Sequence, residues 1–430
     1  MPSTQPFTYT ALDRSTPHIR LIAILPGHSP QISCKFHIHQ LGADAACPPF
    51  TALSYTWGPP DPTSEVLITI DNQSSPVRKN LWCALSSYRK KTNEGTFRGL
   101  VWIDALCINQ QDILERNYQV NKMKVIYSQA DTVLIWLGPE ENDSSRLLRF
   151  IMTMPPLTYS PDQGPPSKYA RFPFPSEPTI KLLMPRPDFT IDDLFQELFD
   201  QTLGQAFSAM FQRAYWKRLW IVQEVLLAKK LLILCGDQLC EWSSIVSIFS
   251  ELEYLGQILG QDGLPIDKSS RDQTPVLQLK RLQAQVMSSR ARVILEKGTD
   301  SNHSQESGER WELHELIKMW FHQECEDPRD RIYGLLGLAQ CEISADYDKT
   351  LEDIFVDVLA SEAPKLSDAD FTLFAANLTN ALYLNPSLEK IKELGLITGL
   401  DLEYALSFLQ DFIVLPPWPS EQDHTAEDDG

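Results

Sequence analysis

Two continuous apolar runs separated by a helix-like stretch constrain the fold of this 430-residue chain most strongly. The runs are 99–108 ("GLVWIDALCI") and 131–138 ("DTVLIWLG"). Apolar runs without polar alternation are typical of strands buried on both faces. Between them, Asn109 and Asp112 are good helix caps, and Val120, Met123 and Tyr127 follow at helical spacing. Strand, helix and strand with short links predict a βαβ unit, and therefore an α/β fold with a parallel sheet flanked by helices.

The rest of the chain divides into four predicted regions. Residues 1–49 contain two strand-like runs, 19–25 and 32–39, that we expect to pack on the core. The central α/β domain is expected over 50–228, with a proline-rich insertion at about 154–187. Residues 229–415 predict a mainly helical region with a polar linker at 262–310, and the acidic tail at 416–430 is expected to be disordered.

Composition and missing motifs exclude several classes of function. The net charge of -19 disfavours broad binding to nucleic acid or to anionic membranes, so neither is expected as a partner. No apolar run approaches the ~18 residues of a membrane span, and no leader pattern opens the chain, which together predict a cytoplasmic protein with eight free cysteines. The glycine-rich and nucleophile motifs of kinases, Rossmann dehydrogenases and common hydrolases are absent.

The stretch 216–227 ("WKRLWIVQEVLL") predicts an apolar helix that carries a single carboxylate, Glu224. On a helical wheel Glu224 lies beside Trp220, at the edge of the apolar arc. An isolated carboxylate there is either an ordinary rim charge or a group at the lip of a cleft with an aromatic wall.

Polar and glycine residues follow two of the predicted strands. Ser54, Trp57 and Gly58 end the strand at 51–55, and Asp104 and Asn109 end the strand at 99–108. Ligands bind at the carboxyl ends of strands in open parallel sheets, so these residues are candidates for a binding site. The alternative is that they cap turns and pack in the core. No metal site is predicted, because the spacing of the cysteines and histidines at 34–47 fits no common zinc module.

Three sequence blocks resemble the fungal heterokaryon-incompatibility (HET) domain. They are 50–60 ("FTALSYTWGPP"), 100–138 ("LVWIDALCINQQDILERNYQVNKMKVIYSQADTVLIWLG") and 214–236 ("AYWKRLWIVQEVLLAKKLLILCG"). The stretch 327–339 ("DPRDRIYGLLGLA") looks like a segment often found downstream of this domain. The resemblance implies an effector of fungal non-self recognition and regulated cell death.

The HET domain is in turn distantly similar to the Toll/interleukin-1 receptor (TIR) domain, which implies a flavodoxin-like fold. "ALSY" resembles the first TIR strand, and Trp220 and Glu224 repeat the spacing of a TIR tryptophan and the glutamate that TIR enzymes need to cleave NAD. The resemblance thus implies Glu224 as a catalytic residue, with Ser54, Trp57, Gly58, Asp104, Asn109 and Trp220 as substrate-binding residues and NAD as a substrate, not a cofactor. The alternative is a non-enzymatic signalling module that acts through a protein partner or self-association.

Overall fold

A computed structural model describes residues 6–42, 47–153, 201–246, 294, 311–382 and 384. The proline-rich insertion, the polar linker apart from Ile294, and the acidic tail that the sequence predicts lie outside the described residues. The described residues belong to two compact units. Unit 1 comprises Met1–Asn109, Val125–Lys217 and Glu224–Ser307, and unit 2 comprises Gln110–Lys124, Arg218–Gln223 and Gly308–Gly430.

Unit 1 is built on a nine-stranded sheet in the order β5-β4-β2-β1-β6-β3-β7-β8-β9. The strands are β1 (His18–Ile24), β2 (Ser33–Gln40), β3 (Phe50–Tyr55), β4 (Val66–Ile70), β5 (Gln73–Val77), β6 (Leu100–Trp102), β7 (Thr132–Gly138), β8 (Leu231–Cys235) and β9 (Gln238–Glu241). The α/β class is therefore confirmed. The sheet includes β8 and β9, which lie beyond residue 228, where we expected the central domain to end.

The sheet is mixed, so the prediction of a parallel sheet is correct only for its centre. β6, β3, β7 and β8 run parallel to their neighbours within that group. Outside this group β1 pairs antiparallel with both β2 and β6, and β9 folds back antiparallel on β8 through a tight turn, whereas β2 and β4 pair parallel. The β4–β5 hairpin turns at Asp71 and Asn72 alone, both of which have positive φ.

The described helices up to residue 226 lie between the strands in sequence, and the segments 110–124 and 218–223 among them belong to unit 2. The helices of the first half are α1 (Lys79–Asn93), α2 (Asp104–Cys107), α3 (Ile113–Val120), α4 (Met123–Gln129) and α5 (Ser144–Thr153), and α6 (Gln201–Phe211) and α7 (Ile221–Leu226) precede β8. Leu81 and Leu85 of α1 pack in one core with Leu53 and Tyr55 of β3. Successive strand residues point to opposite faces, so Ser54 points away from α1.

The described part of unit 2 beyond residue 310 contains four helices. They are α8 (Leu313–Trp320), α9 (Asp330–Leu336), α10 (Leu351–Glu362) and α11 (Asp368–Ala381). α10 begins with a full capping box between Thr350 and Asp353, which satisfies donors at its first turn. None of the described helices in the chain is long and apolar enough to cross a membrane.

Three predicted elements are broken in the structure, and one of them is the helix predicted up to Tyr127, because α3 ends at Val120 and α4 starts at Met123. The run 99–108 is strand only as far as Trp102, and α2 starts at Asp104, with the amide of Ile108 donating to the carbonyl of Asp104. The stretch 216–227 is not one helix: a 3-10 turn covers Ala214–Lys217 and α7 starts only at Ile221. The amide of Leu219 donates to the carbonyl of Glu324 at 2.8 Å, and this bond takes the place of a helical one.

Candidate functional site

Ser54 and Glu224, which are 170 positions apart in the sequence, are hydrogen-bonded to each other inside unit 1. The Ser54 hydroxyl donates to Oε2 of Glu224. The Tyr215 hydroxyl lies 2.8 Å from Ser54 Oγ and is left to act as the donor, because the single Ser54 proton is already used. The three side chains form a chain from Tyr215 through Ser54 to the Glu224 carboxylate.

This chain of hydrogen bonds is buried. Ser54 is 0% exposed, and Tyr215 and Glu224 are each 1% exposed. The predicted position of Glu224 at a rim or at the lip of a cleft is therefore wrong. The physical reason is that the stretch is not a continuous helix with an outer edge, and Ser54 on β3 supplies the polar partner that a buried carboxylate needs. In this conformation a ligand cannot reach the carboxylate.

Trp57 and Asp104 form a second pair at the ends of β3 and β6. The indole Nε1 of Trp57 donates to Oδ2 of Asp104 at 2.8 Å, and Oδ1 of Asp104 accepts from the amide of Ala105. Arg78 completes the group, because its guanidinium lies 5.3 Å from the centre of the Trp57 ring and donates to the Gly58 carbonyl at 2.6 Å. Gly58 has φ of +81°, a conformation that other residues adopt only with strain.

Asn80 is a residue that sequence reasoning missed. Its Nδ2 donates to the Thr56 carbonyl at 2.6 Å, and its Oδ1 accepts from Nε1 of Trp136 at 2.9 Å. It thereby joins the segment after β3 to β7, two neighbouring strands of the parallel group. A polar residue in the first turn of α1, with two apolar residues after it, was the only signal in the sequence.

The structure does not place all the predicted residues in one group. Asn109 is half-buried and follows α2 by two residues. Trp220 belongs to unit 2, where its Nε1 donates to Oδ2 of Asp330 at 2.9 Å. Trp220 precedes α7 by one residue, so the four-residue spacing from Trp220 to Glu224 is not a turn of a regular helix.

Asp330 is the centre of a polar network in unit 2. Besides Trp220, the Tyr347 hydroxyl donates to its Oδ1 at 2.5 Å. Burial raises the pKa of Asp330 to about 6, although its two hydrogen bonds and the charge of Arg116 act in the opposite direction. The guanidinium of Arg116 lies 3.9 Å from the centre of the Tyr347 ring. Asp330 is also the first residue of α9.

A cluster with metal-ligand chemistry also lies in unit 2. Atoms of Glu312, His314 and Glu362 that can ligate a metal lie within 4.8 Å of one another. The ammonium of Lys365 already lies between the carboxylates, 2.7 Å from Glu312 and 2.8 Å from Glu362. Burial opposes ionisation of Glu362, but hydrogen bonds from Lys365 and His314 outweigh it and hold its pKa below the usual value. The cluster is therefore an internal ion pair, and we assign no metal to it.

Comparison with known proteins finds a family match for part of the chain. Residues 50–224 match the family model described as "Heterokaryon incompatibility protein (HET)". "Heterokaryon incompatibility protein 6, OR allele" from Neurospora crassa is 26% identical over 245 residues, which cover 54% of this chain and 35% of that protein. The matched part of the chain thus spans about a third of the relative's length. No solved structure matches the chain.

The chain thus contains a region, residues 50–224, that matches the HET domain. The resemblance that the three sequence blocks predict is confirmed for the HET family. The matched region starts with Phe50, the first residue of β3, and ends with Glu224. The two ends of the matched region therefore meet in space through the Ser54–Glu224 hydrogen bond.

Proposed function

We propose that this protein acts in heterokaryon incompatibility, as a cytoplasmic effector of non-self recognition and regulated cell death in a fungus. The observation that carries the proposal is the Ser54–Glu224 bond, which joins the first and last HET blocks in one buried hydrogen-bond chain. The name of the Neurospora relative supports the same role.

Within this role, the buried geometry best supports a signalling module that acts through a protein partner or self-association. A catalytic group must contact its substrate, whereas Glu224 is 1% exposed and bonded to Ser54. A buried carboxylate satisfied by a hydroxyl fixes β3 against α7 and gives the domain one defined packing arrangement. In this proposal Glu224 is a structural residue and the active surface lies elsewhere on the domain.

NAD cleavage by a TIR-like site is the second candidate. Numbered along the chain, the parallel strands β3, β6, β7 and β8 lie in the order 2-1-3-4, which supports a flavodoxin-like relationship. Ser54 lies near the carboxyl end of β3, beside the position where that order reverses and where such sheets bind ligands. Nicotinamide leaves as a neutral molecule, so a carboxylate that stabilises the oxocarbenium-like state is sufficient, without an acid for the leaving group. Glu224 would have to separate from Ser54 first.

The two mechanisms are separated by induced expression in a fungal host. Cells express the native chain, Glu224→Gln, or the control Glu65→Gln, which changes an exposed glutamate in the same unit. NAD content and viability are followed at matched protein levels, and thermal unfolding of each purified variant shows that it is folded. The side-chain amide that Glu224→Gln introduces can still accept a hydrogen bond from Ser54, so a structural role is largely preserved.

If the protein is a signalling module, the NAD content of the cells stays constant, and cells that express Glu224→Gln still die. NAD cleavage would instead be the mechanism if NAD content falls before death, if Glu224→Gln abolishes this fall, and if Glu65→Gln does not. The incompatibility role itself is tested by fusing strains that differ only in this gene. If those strains form viable heterokaryons and expression never slows growth, the role is wrong.

A further inference from the structure

The segment of residues 6–12, called the strap here, lies across one face of the sheet in unit 1. It belongs to none of the named helices or strands. The amide of Phe7 donates to the carbonyl of Ser74 at 2.9 Å, and the amide of Thr8 donates to the side chain of Gln73 at 3.1 Å. Both acceptors belong to β5, so the strap starts at one edge of the sheet.

Aromatic side chains hold the middle of the strap in a groove over β2 and β1. The centre of the Phe7 ring lies 5.4 Å from that of Phe36 on β2 and 4.8 Å from that of Tyr9. The Tyr9 hydroxyl donates to the carbonyl of Leu106 in α2 at 3.0 Å. The strap thus extends from β5 to α2, and its last residue, Leu12, is buried.

The groove contains a buried charge that depends on the strap. Arg20 on β1 is 2% exposed, and it donates to the carbonyl of Thr10 in the strap at 2.6 Å and to that of Cys107 at 3.1 Å. Its guanidinium also lies 4.9 Å from the centre of the Tyr9 ring. Removing the strap takes two of these contacts from a buried cation, which is destabilising. The folded domain therefore favours a groove that is filled by a strap.

A short surface turn, residues 13–17, connects the strap to β1. Asp13, Arg14 and Ser15 are exposed. Asp13 accepts hydrogen bonds from the amide and the hydroxyl of Ser15, so these bonds lie within the turn itself. Exposed turn residues can change their backbone path without disturbing a buried strand. The turn can therefore act as a hinge for the strap.

An apolar side chain beside the groove is exposed. Ile38 pairs with Arg20 across β1 and β2, so both side chains lie on the face that the strap crosses. Ile38 is 46% exposed. A second copy of the chain at this groove would cover Ile38, and burying an apolar side chain favours association.

We propose that two copies of the chain associate by exchanging straps, so that residues 6–12 of each copy dock in the groove of the other. The occupant of the groove is then a second copy, and its fit is the one seen within a single chain. Exchange keeps every contact of the strap, so the two forms differ mainly in the turn 13–17 and in the entropy of association. Because the exchange is mutual, it closes into a dimer. It deepens the proposed signalling by self-association and rests on it.

The first test measures whether the groove accepts a strap from another molecule. A fluorescent synthetic peptide of residues 6–12 ("PFTYTAL") is titrated into the purified full chain and into its double variant Phe7→Ala with Tyr9→Ala, whose own strap is weakened. We expect saturable binding to the double variant and binding at least about 10-fold weaker to the native chain, whose groove is filled. A peptide in which alanine replaces both aromatic residues is the control and should not bind.

The proposal is wrong if the double variant does not saturate at up to about 1 mM peptide, or if the control peptide binds equally well. Thermal unfolding shows whether the double variant is folded. If it is not, Tyr9→Phe takes its place, because this change removes only the hydrogen bond to Leu106. Tyr9→Phe should still bind the peptide more tightly than the native chain does, and equal binding would overturn the proposal.

The second test changes the length of the hinge and measures the dimer fraction by sedimentation at rising concentration of the full chain. Deleting Arg14 and Ser15 makes it harder for a strap to reach its own groove, so the dissociation constant of the dimer should fall at least about 10-fold. Phe7→Ala with Tyr9→Ala should raise that constant by at least about 10-fold, and the control Glu65→Gln should leave it unchanged.

The outcomes separate strap exchange from the proposed function. Dimers that persist equally in all variants would overturn strap exchange, while self-association, and with it the proposed signalling, would stand. A shortened chain that stays monomeric would also overturn strap exchange. The role in incompatibility is decided separately, by the viability of the heterokaryons.

Discussion

Replacing Asp330 by asparagine should change how the stability of unit 2 depends on pH. Burial raises the pKa of this carboxyl group from 3.8 to about 6 in the folded chain. The folded state therefore holds the proton more tightly than the unfolded state between these two pH values. The stabilising contribution of Asp330 to the free energy of unfolding is fully present below pH 3.8 and is lost as the pH rises through about 6. A rise from 3.8 to about 6 corresponds to about 3 kcal/mol.

Asparagine cannot ionise, so Asp330→Asn removes this loss. Its side-chain oxygen can still accept from Trp220, while its amide group must accommodate Tyr347. The variant should be somewhat less stable than the native chain near pH 4 and should gain on it by about 3 kcal/mol by pH 7. The other titratable groups are the same in the native chain and in Asp330→Asn, so their effects cancel in the difference between the two stabilities.

Hydrogen exchange of the amides in α9 (Asp330–Leu336) measures the effect locally, so it does not require the whole chain to unfold in one step. Urea unfolding at the same pH values gives an independent free energy. Asp348→Asn is the control, because Asp348 is an exposed aspartate of the same unit. A stability difference between the native chain and Asp330→Asn that stays constant from pH 4 to 7 would refute the reasoning.

Three further predictions address packing, hydrogen bonding and reactivity. Gly337→Ala should destabilise unit 2 by about 1–3 kcal/mol in urea unfolding, because a Cβ there would lie 2.0 Å from Oε1 of Gln223. This loss of stability should be smaller when Gln223→Ala is also present. Additive effects of the two substitutions would contradict the clash. Trp57→Phe removes the donor to Asp104 but keeps an aromatic ring beside Arg78, so we expect a loss of about 1 kcal/mol in thermal unfolding, which should vanish when Asp104→Ala is already present. Cys107 should resist iodoacetamide in the native chain at pH 8 and react after unfolding, as mass spectrometry can show, because burial raises the pKa of its thiol to about 12; rapid labelling of the folded chain would contradict this.

The sequence predicts the centre of the fold well because strong local patterns define it. β1, β3 and β7 coincide with runs that predict strands. The run 99–108 is different, because apolar residues are equally common in a buried strand and in a buried helical turn. Nothing local showed that the chain turns from strand to helix after Trp102.

Local sequence patterns do not identify the hydrogen-bond partners of the candidate residues. Ser54 and Glu224 are recognisable as polar residues beside apolar ones, but their hydrogen bond joins positions 170 apart. Likewise, Trp220 meets Asp330 across 110 positions, so a spacing of four along the chain said nothing of its actual contact. The sequence names candidate side chains, and tertiary packing decides which of them share a hydrogen bond.

The position of β1 bears on how this protein can be cut for study. β1 pairs with β6, and β8 pairs with β7, yet both β1 and β8 lie outside the region 50–224 that matches the family model. A fragment trimmed to that region would lack β1 and β8. The unpaired backbone edges of β6 and β7 would then be exposed to solvent. Such edges invite pairing with other chains, so the trimmed fragment should precipitate or oligomerise where the longer chain does not. A fragment that starts before His18 and continues past Glu241 retains both neighbours.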